Sequence, residues 1–229
     1  MRVAVTRPEA DGERTAQVLR GRGHDVLLAP LMRVEAVAAD LSGDWSAVVI
    51  TSANALTAIA QSATLAKLQK LPLFAVGQRS ADAGDGFANV YAADGDVKDL
   101  VRLITREHRG GTLLYLAGEN RAADLVAQLA THGIAAEMRI LYRAVTAPFP
   151  PQLIAALKAG SLDAVLHFSR RSAENYIAGA HAAEITGAAV AIRHICMSAQ
   201  VAEPLLGAGA KRVDIAPHPN ETALIGVLE

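Results

Sequence analysis

The chain has 229 residues and a mass of 23.9 kDa, above the usual single-core size of about 100 to 150 residues, so one large domain or two small ones fit and a short peptide scaffold does not. Its 22 Lys and Arg meet 23 Asp and Glu for a formal net charge of -1, which offers no broad positive field to a phosphate backbone and leaves nucleic acid out as an expected partner. With 52% hydrophobic and 20% charged residues and a mean hydropathy of +0.24, the sequence reads as folded rather than disordered.

The opening Met1-Arg2-Val3-Ala4-Val5-Thr6-Arg7-Pro8 meets charge too early for a signal peptide, and no later stretch runs about 18 residues without a polar break, so a cytoplasmic address and no membrane partner are expected. Arg2 to Thr6 is a short β-branched run. Pro8 suits a first helical turn, an amphipathic stretch follows to Arg20, and Val26 to Leu31 forms a second apolar run. That is strand, helix, strand. Val48-Val49-Ile50 then ends in Thr51-Ser52-Ala53-Asn54, Leu73-Phe74-Ala75-Val76 ends in Gly77-Gln78-Arg79-Ser80, and Asn89 to Ala93 precedes another helix.

The plan then repeats. Thr112 to Ala117 is a strand, Glu119 to Leu129 a helix with Gly133 as its cap, and Met138 to Tyr142 a strand. Val165-Leu166-His167-Phe168 leads to Ser169-Arg170-Arg171-Ser172, His194-Ile195-Cys196-Met197 leads to Ser198-Ala199-Gln200, and Arg212 to Ala216 closes the series. Ordered correspondence of this kind is the mark of a duplicated unit. Strands alternating with helices predict α/β lobes with parallel sheets and ligand sites outside the carboxyl ends of the strands. By the repeat alone the lobes divide in tandem near Arg109-Gly110-Gly111.

The strand-to-helix turns are the informative places, because the first backbone N–H groups of a helix lack partners and its dipole favours an anion. Thr51-Ser52, Ser80, the Gly118-Glu119-Asn120-Arg121 turn, Ser169, and Ser198 with Gln200 all stand at such turns. Each alone is explained by helix capping; five at one topological position point to a shared anionic ligand. Arg7 and Arg121 would present guanidinium forks to carboxylates there, as would Arg170 and Arg171. Thr6-Arg7-Pro8 replaces the glycines that a dinucleotide fold needs, so no nucleotide cofactor is expected. Seven scattered histidines without a His-Glu-x-x-His pair give no metal site, and the lone Cys196 reads as a core residue.

The ordered motifs Thr6-Arg7-Pro8, Thr51-Ser52-Ala53-Asn54-Ala55, Ala75-Val76-Gly77 with Ser80-Ala81, Gly118-Glu119-Asn120-Arg121, Tyr142-Arg143, Phe168-Ser169 and Ala216-Pro217-x-Pro219 resemble those of the uroporphyrinogen-III synthase family along nearly the whole chain. The resemblance departs at Ser198 and Val201, where many members carry Gly and Thr, and at Ser80, where Thr is usual. It implies two flavodoxin-like α/β lobes with parallel sheets joined by a two-strand linker, with a cleft between the lobes. The lobes would be residues 1–34 with 145–229, and 38–140, with 35–37 and 141–144 as linker strands. It implies a lyase of tetrapyrrole and heme biosynthesis that closes hydroxymethylbilane, a linear tetrapyrrole with eight carboxylates, to uroporphyrinogen III, losing water and inverting ring D. No cofactor or metal is implied, and a monomer is expected. Tyr142 is the implied proton donor or orienting hydrogen bond, and Arg7, Thr51, Ser52, Ser80, Arg121, Ser169, Ser198 and Gln200 the substrate-binding set. The rival reading is an intracellular two-lobe sensor that binds a small molecule without converting it.

Overall fold

Val3, Ala4 and Val5 are all buried in the first strand, β1 (Arg2–Val5), the continuous apolar pattern of a strand covered on both faces. The computed structural model describes residues 1–119 and 124–229. After β1 come α1 (Glu9–Gly21), β2 (Asp25–Leu28), β3 (Met32–Ala36), β4 (Trp45–Ile50), α2 (Asn54–Ile59), α3 (Leu65–Leu68), β5 (Pro72–Ala75), α4 (Gln78–Ala81), β6 (Asn89–Ala92), α5 (Val97–Glu107) and β7 (Thr112–Gly118). The chain continues with α6 (Leu125–Ala130), β8 (Ala136–Thr146), α7 (Pro151–Lys158), β9 (Ala164–His167), α8 (Arg170–Ala182), α9 (Thr186–Ala191), β10 (Arg193–Cys196), α10 (Ala199–Gly207), β11 (Val213–Ile215) and α11 (Glu221–Gly226). Among the described residues no helix is long and apolar enough to cross a membrane.

Two compact units result, Met1–Arg33 with Val145–Glu229, and Val34–Ala144. The first holds a parallel sheet in the order β11-β10-β9-β1-β2. Period-two alternation divides its side chains: Ala4, Val165 and Cys196 meet α7 to α10 through Leu153, Tyr176, Ala189 and Leu205, while Val3, Val5, Leu166 and Ile195 meet Leu19 of α1 and Leu224 and Ile225 of α11. Burial on both faces favours apolar residues along these strands, with His167 of β9 and His194 of β10 as buried exceptions.

The second unit holds a sheet in the order β3-β8-β7-β4-β5-β6, parallel from β8 to β6. Val48, Ile50, Leu114 and Leu116 face α2 to α4, and Val49, Leu113 and Tyr115 face α5 and α6. Helix α5 forms because Asp96 accepts the Asp99 N–H at 2.7 Å and Leu100, Val101, Leu103 and Ile104 make one buried stripe.

Three sequence expectations are corrected. The run to Leu31 stops as a strand at Leu28, since Pro30 has no N–H for the ladder, and a separate strand, β3, starts at Met32. The turn at Gly110-Gly111, with φ of 107° and 88°, joins α5 to β7 inside the second unit, so the tandem cut falls within a sheet's own connection. Helix α6 starts at Leu125, where Asp124 accepts the Ala127 N–H at 3.1 Å, rather than near Glu119. Asn120 and Arg121 lie outside the described residues.

Candidate functional site

In the second unit, parallel register brings Ile50 level with Ala75 and Leu116, so Thr51-Ser52, Val76-Gly77 and Gly118 emerge along one carboxyl edge. The Thr51 hydroxyl lies 3.1 Å from the Tyr115 hydroxyl, on the α5–α6 side. Ser52 Oγ accepts the Asn54 N–H at 3.3 Å, closing a local turn before α2. Ser80 is buried within α4 and gives its backbone N–H to the Gly77 carbonyl at 3.0 Å. Tyr142, half-buried on β8, lies opposite Gly118 and packs on the α2–α4 side of the sheet. Its carbonyl accepts the Glu119 N–H at 2.9 Å. Among the described residues no hydrogen bond engages its hydroxyl.

In the first unit, Val5 is level with Leu166, and Cys196 with His167 and Ile215, which sets Thr6-Arg7, Phe168-Ser169, Met197-Ser198 and Ala216 along its carboxyl edge. Thr6 is buried and donates its hydroxyl to the Leu166 carbonyl at 2.8 Å, while Ser172 Oγ reaches Thr6 Oγ1 at 3.0 Å. Arg7 is held by the protein itself. Its Nη1 donates to Glu221 Oε2 at 2.9 Å and Thr15 Oγ1 at 3.2 Å, its Nη2 lies 3.6 Å from Asp11, and its Cζ lies 4.4 Å from the centre of the Phe168 ring. The fork expected to meet ligand carboxylates therefore meets two protein carboxylates.

Ser169 is the N-cap of α8, accepting the Ser172 N–H at 3.2 Å, and Arg170 is taken up by Glu174 at 2.9 Å and by Glu203. Ser198 differs. It caps α10 through extended backbone, with no side-chain bond to the helix, and stands beside the exposed Gln200.

Sequence reasoning missed Glu221, whose two oxygens are shared between Thr15 at 2.6 Å and Arg7. Asn220-Glu221 marks a helix start, but nothing in the sequence connects it to a residue 214 positions earlier. It missed a buried cluster directly beneath the edge as well. His167 Nε2 and His194 Nδ1 lie 3.1 Å apart, both side chains fully buried, with the Tyr176 ring edge-on to both at 5.1 and 5.6 Å. Burial, with the charge of His194, holds His167 well below the usual histidine range. Burial also lowers His194 to about 4, opposed by the Ala189 carbonyl. The pair therefore stays neutral, sharing one N–H between two ring nitrogens.

Among the described residues no three His, Cys, Asp or Glu gather as metal ligands. A cavity of about 460 Å³ opens at the amino-terminal edge of the first unit's sheet, beside Leu157, Lys158, Asp163, Arg193 and Arg212. None of the sequence-predicted residues lines it. The groups that stand at the two carboxyl edges among the described residues are thus helix N–H groups and hydroxyls, with the phenols of Tyr115 and Tyr142 in the second unit.

The family model HEM4, described as Uroporphyrinogen-III synthase HemD, matches residues 13–226. The crystal structure of uroporphyrinogen-III synthetase from Helicobacter pylori 26695 is similar at 18% identity, covering 100% of this chain and 98% of that one with a TM-score of 0.64. A mutant uroporphyrinogen III synthase from the extremely thermophilic bacterium Thermus thermophilus is similar at 20% identity, covering 100% and 97% with a TM-score of 0.51. At such identities the likeness is one of fold. Among curated proteins none matches the chain.

Proposed function

The chain belongs to the uroporphyrinogen-III synthase family, and we propose that it carries out that family's lyase reaction, closing hydroxymethylbilane to uroporphyrinogen III with loss of water and inversion of ring D. The observation that carries this reading is the family match across residues 13–226. The geometry supports it through two carboxyl edges that present polar turns.

The bilane closes by itself to the symmetric type I isomer, so the enzyme's task is to decide which carbon of ring D attacks. Loss of the terminal hydroxyl leaves an azafulvene. Attack through the substituted carbon of ring D gives a spiro intermediate, which reconnects with the ring turned round. Eight carboxylates call for many moderate contacts rather than one deep charge. Ser198, Gln200 and the first N–H groups of α8 and α10 supply them in one unit, and Thr51 and Ser52 in the other, while Arg121, outside the described residues, is the cation the family resemblance adds. Arg7 acts by holding Glu221 and Asp11 so that their charges do not repel the substrate. Tyr142 donates the proton that lets the hydroxyl leave as water, a role its unengaged hydroxyl suits. Assistance of this kind is worth about 10²-fold to 10⁴-fold in rate.

The protein should act as a monomer in the cytoplasm, running near its 23.9 kDa mass in gel filtration. The decisive experiment adds the purified protein to freshly generated hydroxymethylbilane and separates the isomers. Type III should form in proportion to protein and persist in the presence of a chelator. Accumulation of type I alone at every protein concentration would overturn the reading.

A further inference from the structure

We infer that Gly118 is a positioning residue for Tyr142, and that with a bulge at Leu141 it forms the seat that fixes the phenol at the carboxyl edge. The inference rests on the role given to Tyr142 above and extends it to two residues that touch no reacting atom. It starts from a glycine that its backbone does not require. Gly118 lies in β7, and its φ is not in the left-handed region where glycine alone is comfortable. What it needs is the missing side chain. A Cβ built there would lie 2.6 Å from Tyr142 Cε2, 2.6 Å from Cζ and 2.9 Å from the hydroxyl oxygen. Ordinary carbon contacts are about 3.5 to 4.0 Å, so the ring would have to retreat by about 1 Å.

The second half of the seat is the register of β8. Ala117 pairs with Ile140, yet Gly118 pairs with Tyr142, leaving Leu141 as the extra residue. Along a regular strand Leu141 and Tyr142 would face opposite sides of the sheet. Here both pack into the core that holds Leu114 and Leu116, with Leu141 fully inside it at 2% exposure. The bulge turns Tyr142 onto that face, and the glycine leaves room for its ring. Because the ring is half-buried, a side chain at position 118 displaces the phenol rather than the strands.

Incorporation of 3-fluorotyrosine tests this, since the protein has only four tyrosines and single Tyr→Phe changes assign each ¹⁹F resonance. In Gly118→Ala the Tyr142 resonance should move while those of Tyr91 and Tyr176 stay. kcat should fall by about 10²-fold, as about 1 Å of misplacement costs, with KM within about threefold. The loss should nearly vanish when Gly118→Ala is added to Tyr142→Phe, whereas independent effects would multiply. An unmoved Tyr142 resonance, or multiplicative losses, overturns the inference. A Tyr142→Phe enzyme with full kcat, alongside a moved resonance, refutes instead the proton-donor reading and with it the catalytic meaning of the seat. Should Gly118→Ala fail to fold, Gly118→Ala with Tyr142→Ala removes the overlap. Recovered cooperative folding then supports the seat, and persistent misfolding overturns it.

Discussion

The serines of the polar turns differ in what their hydroxyls do, and this difference decides what their loss would cost. Ser169 Oγ is committed to the Ser172 N–H, so Ser169→Ala should act on stability, by about 1 kcal/mol as for other caps, and be read in Tm. Ser198 makes no such bond. Ser198→Ala should leave Tm in place and raise KM about fivefold, the effect of one lost hydrogen bond of about 1 kcal/mol. Reversal of the two, with a KM defect in Ser169→Ala and a Tm defect in Ser198→Ala, would show that the cap and the ligand donor have been exchanged. The sequence placed both serines correctly at strand ends, because short apolar runs followed by Ser-x-x patterns are legible. It could not separate cap from donor, since that depends on whether a hydroxyl turns toward its own helix. Arg7 fails to be legible for a related reason. Its charge is visible, but Glu221 joins Asp11 and Thr15 of α1 around it only when α11 docks beside α1.

At the scale of elements, the first unit's sheet carries an acid-sensitive joint where β9 and β10 meet. His167 and His194 are adjacent there, each fully buried, and the T-shaped Tyr176 ring closes the site while its hydroxyl donates to the Ala189 carbonyl at 3.1 Å. An unfolded histidine binds a proton near pH 6.5, whereas burial lowers His194 to about 4. The unfolded state therefore binds more protons between these values, and stability falls as pH drops from about 6.5 toward 4, with full stability above 6.5. The His194 contribution is about 3 kcal/mol, because a tenfold change in proton affinity between the two states is worth about 1.4 kcal/mol. Chemical denaturation at several pH values, compared with a His167→Leu, His194→Leu double variant, should show this loss in the wild type and a flatter profile in the variant. Identical profiles would mean that the pair does not control acid stability. Both histidines were visible in the sequence only as scattered residues, because pairing across parallel strands depends on the register His194 to Val165 and Cys196 to His167. The strands themselves were legible from their apolar runs; β3 (Met32–Ala36) was visible only through the family resemblance, as a linker strand at 35–37, since Pro30 interrupts the run that leads into it.

At the scale of the whole molecule, the order of strands in each sheet makes a statement about which pieces can fold. The first sheet takes β1 and β2 from the amino-terminal stretch and β9, β10 and β11 from the carboxyl-terminal stretch, with β1 hydrogen-bonded to β9. The second takes all its parallel strands from the interval between. The repeat in the sequence did not report this exchange, because similar halves carry the same local signals whichever partner they pair with. A fragment ending at Arg109 would keep β1 and β2 without β9, which pairs with β1, or α11, which packs on Val3 and Val5, and β4, β5 and β6 without β7, whose Leu113, Leu114 and Leu116 are fully buried. It should bind a hydrophobic dye and melt without cooperativity. A fragment of residues 34–144 retains the β8-β7-β4-β5-β6 ladder with the helices on both its faces and should give a sharp two-state transition. Joining residues 1–33 to 145–229 through a short flexible linker should restore a second cooperative unit, because β1 would again find β9. A cooperative melt of 1–109 beside an unfolded 34–144 would reverse the assignment and return the chain to two tandem halves.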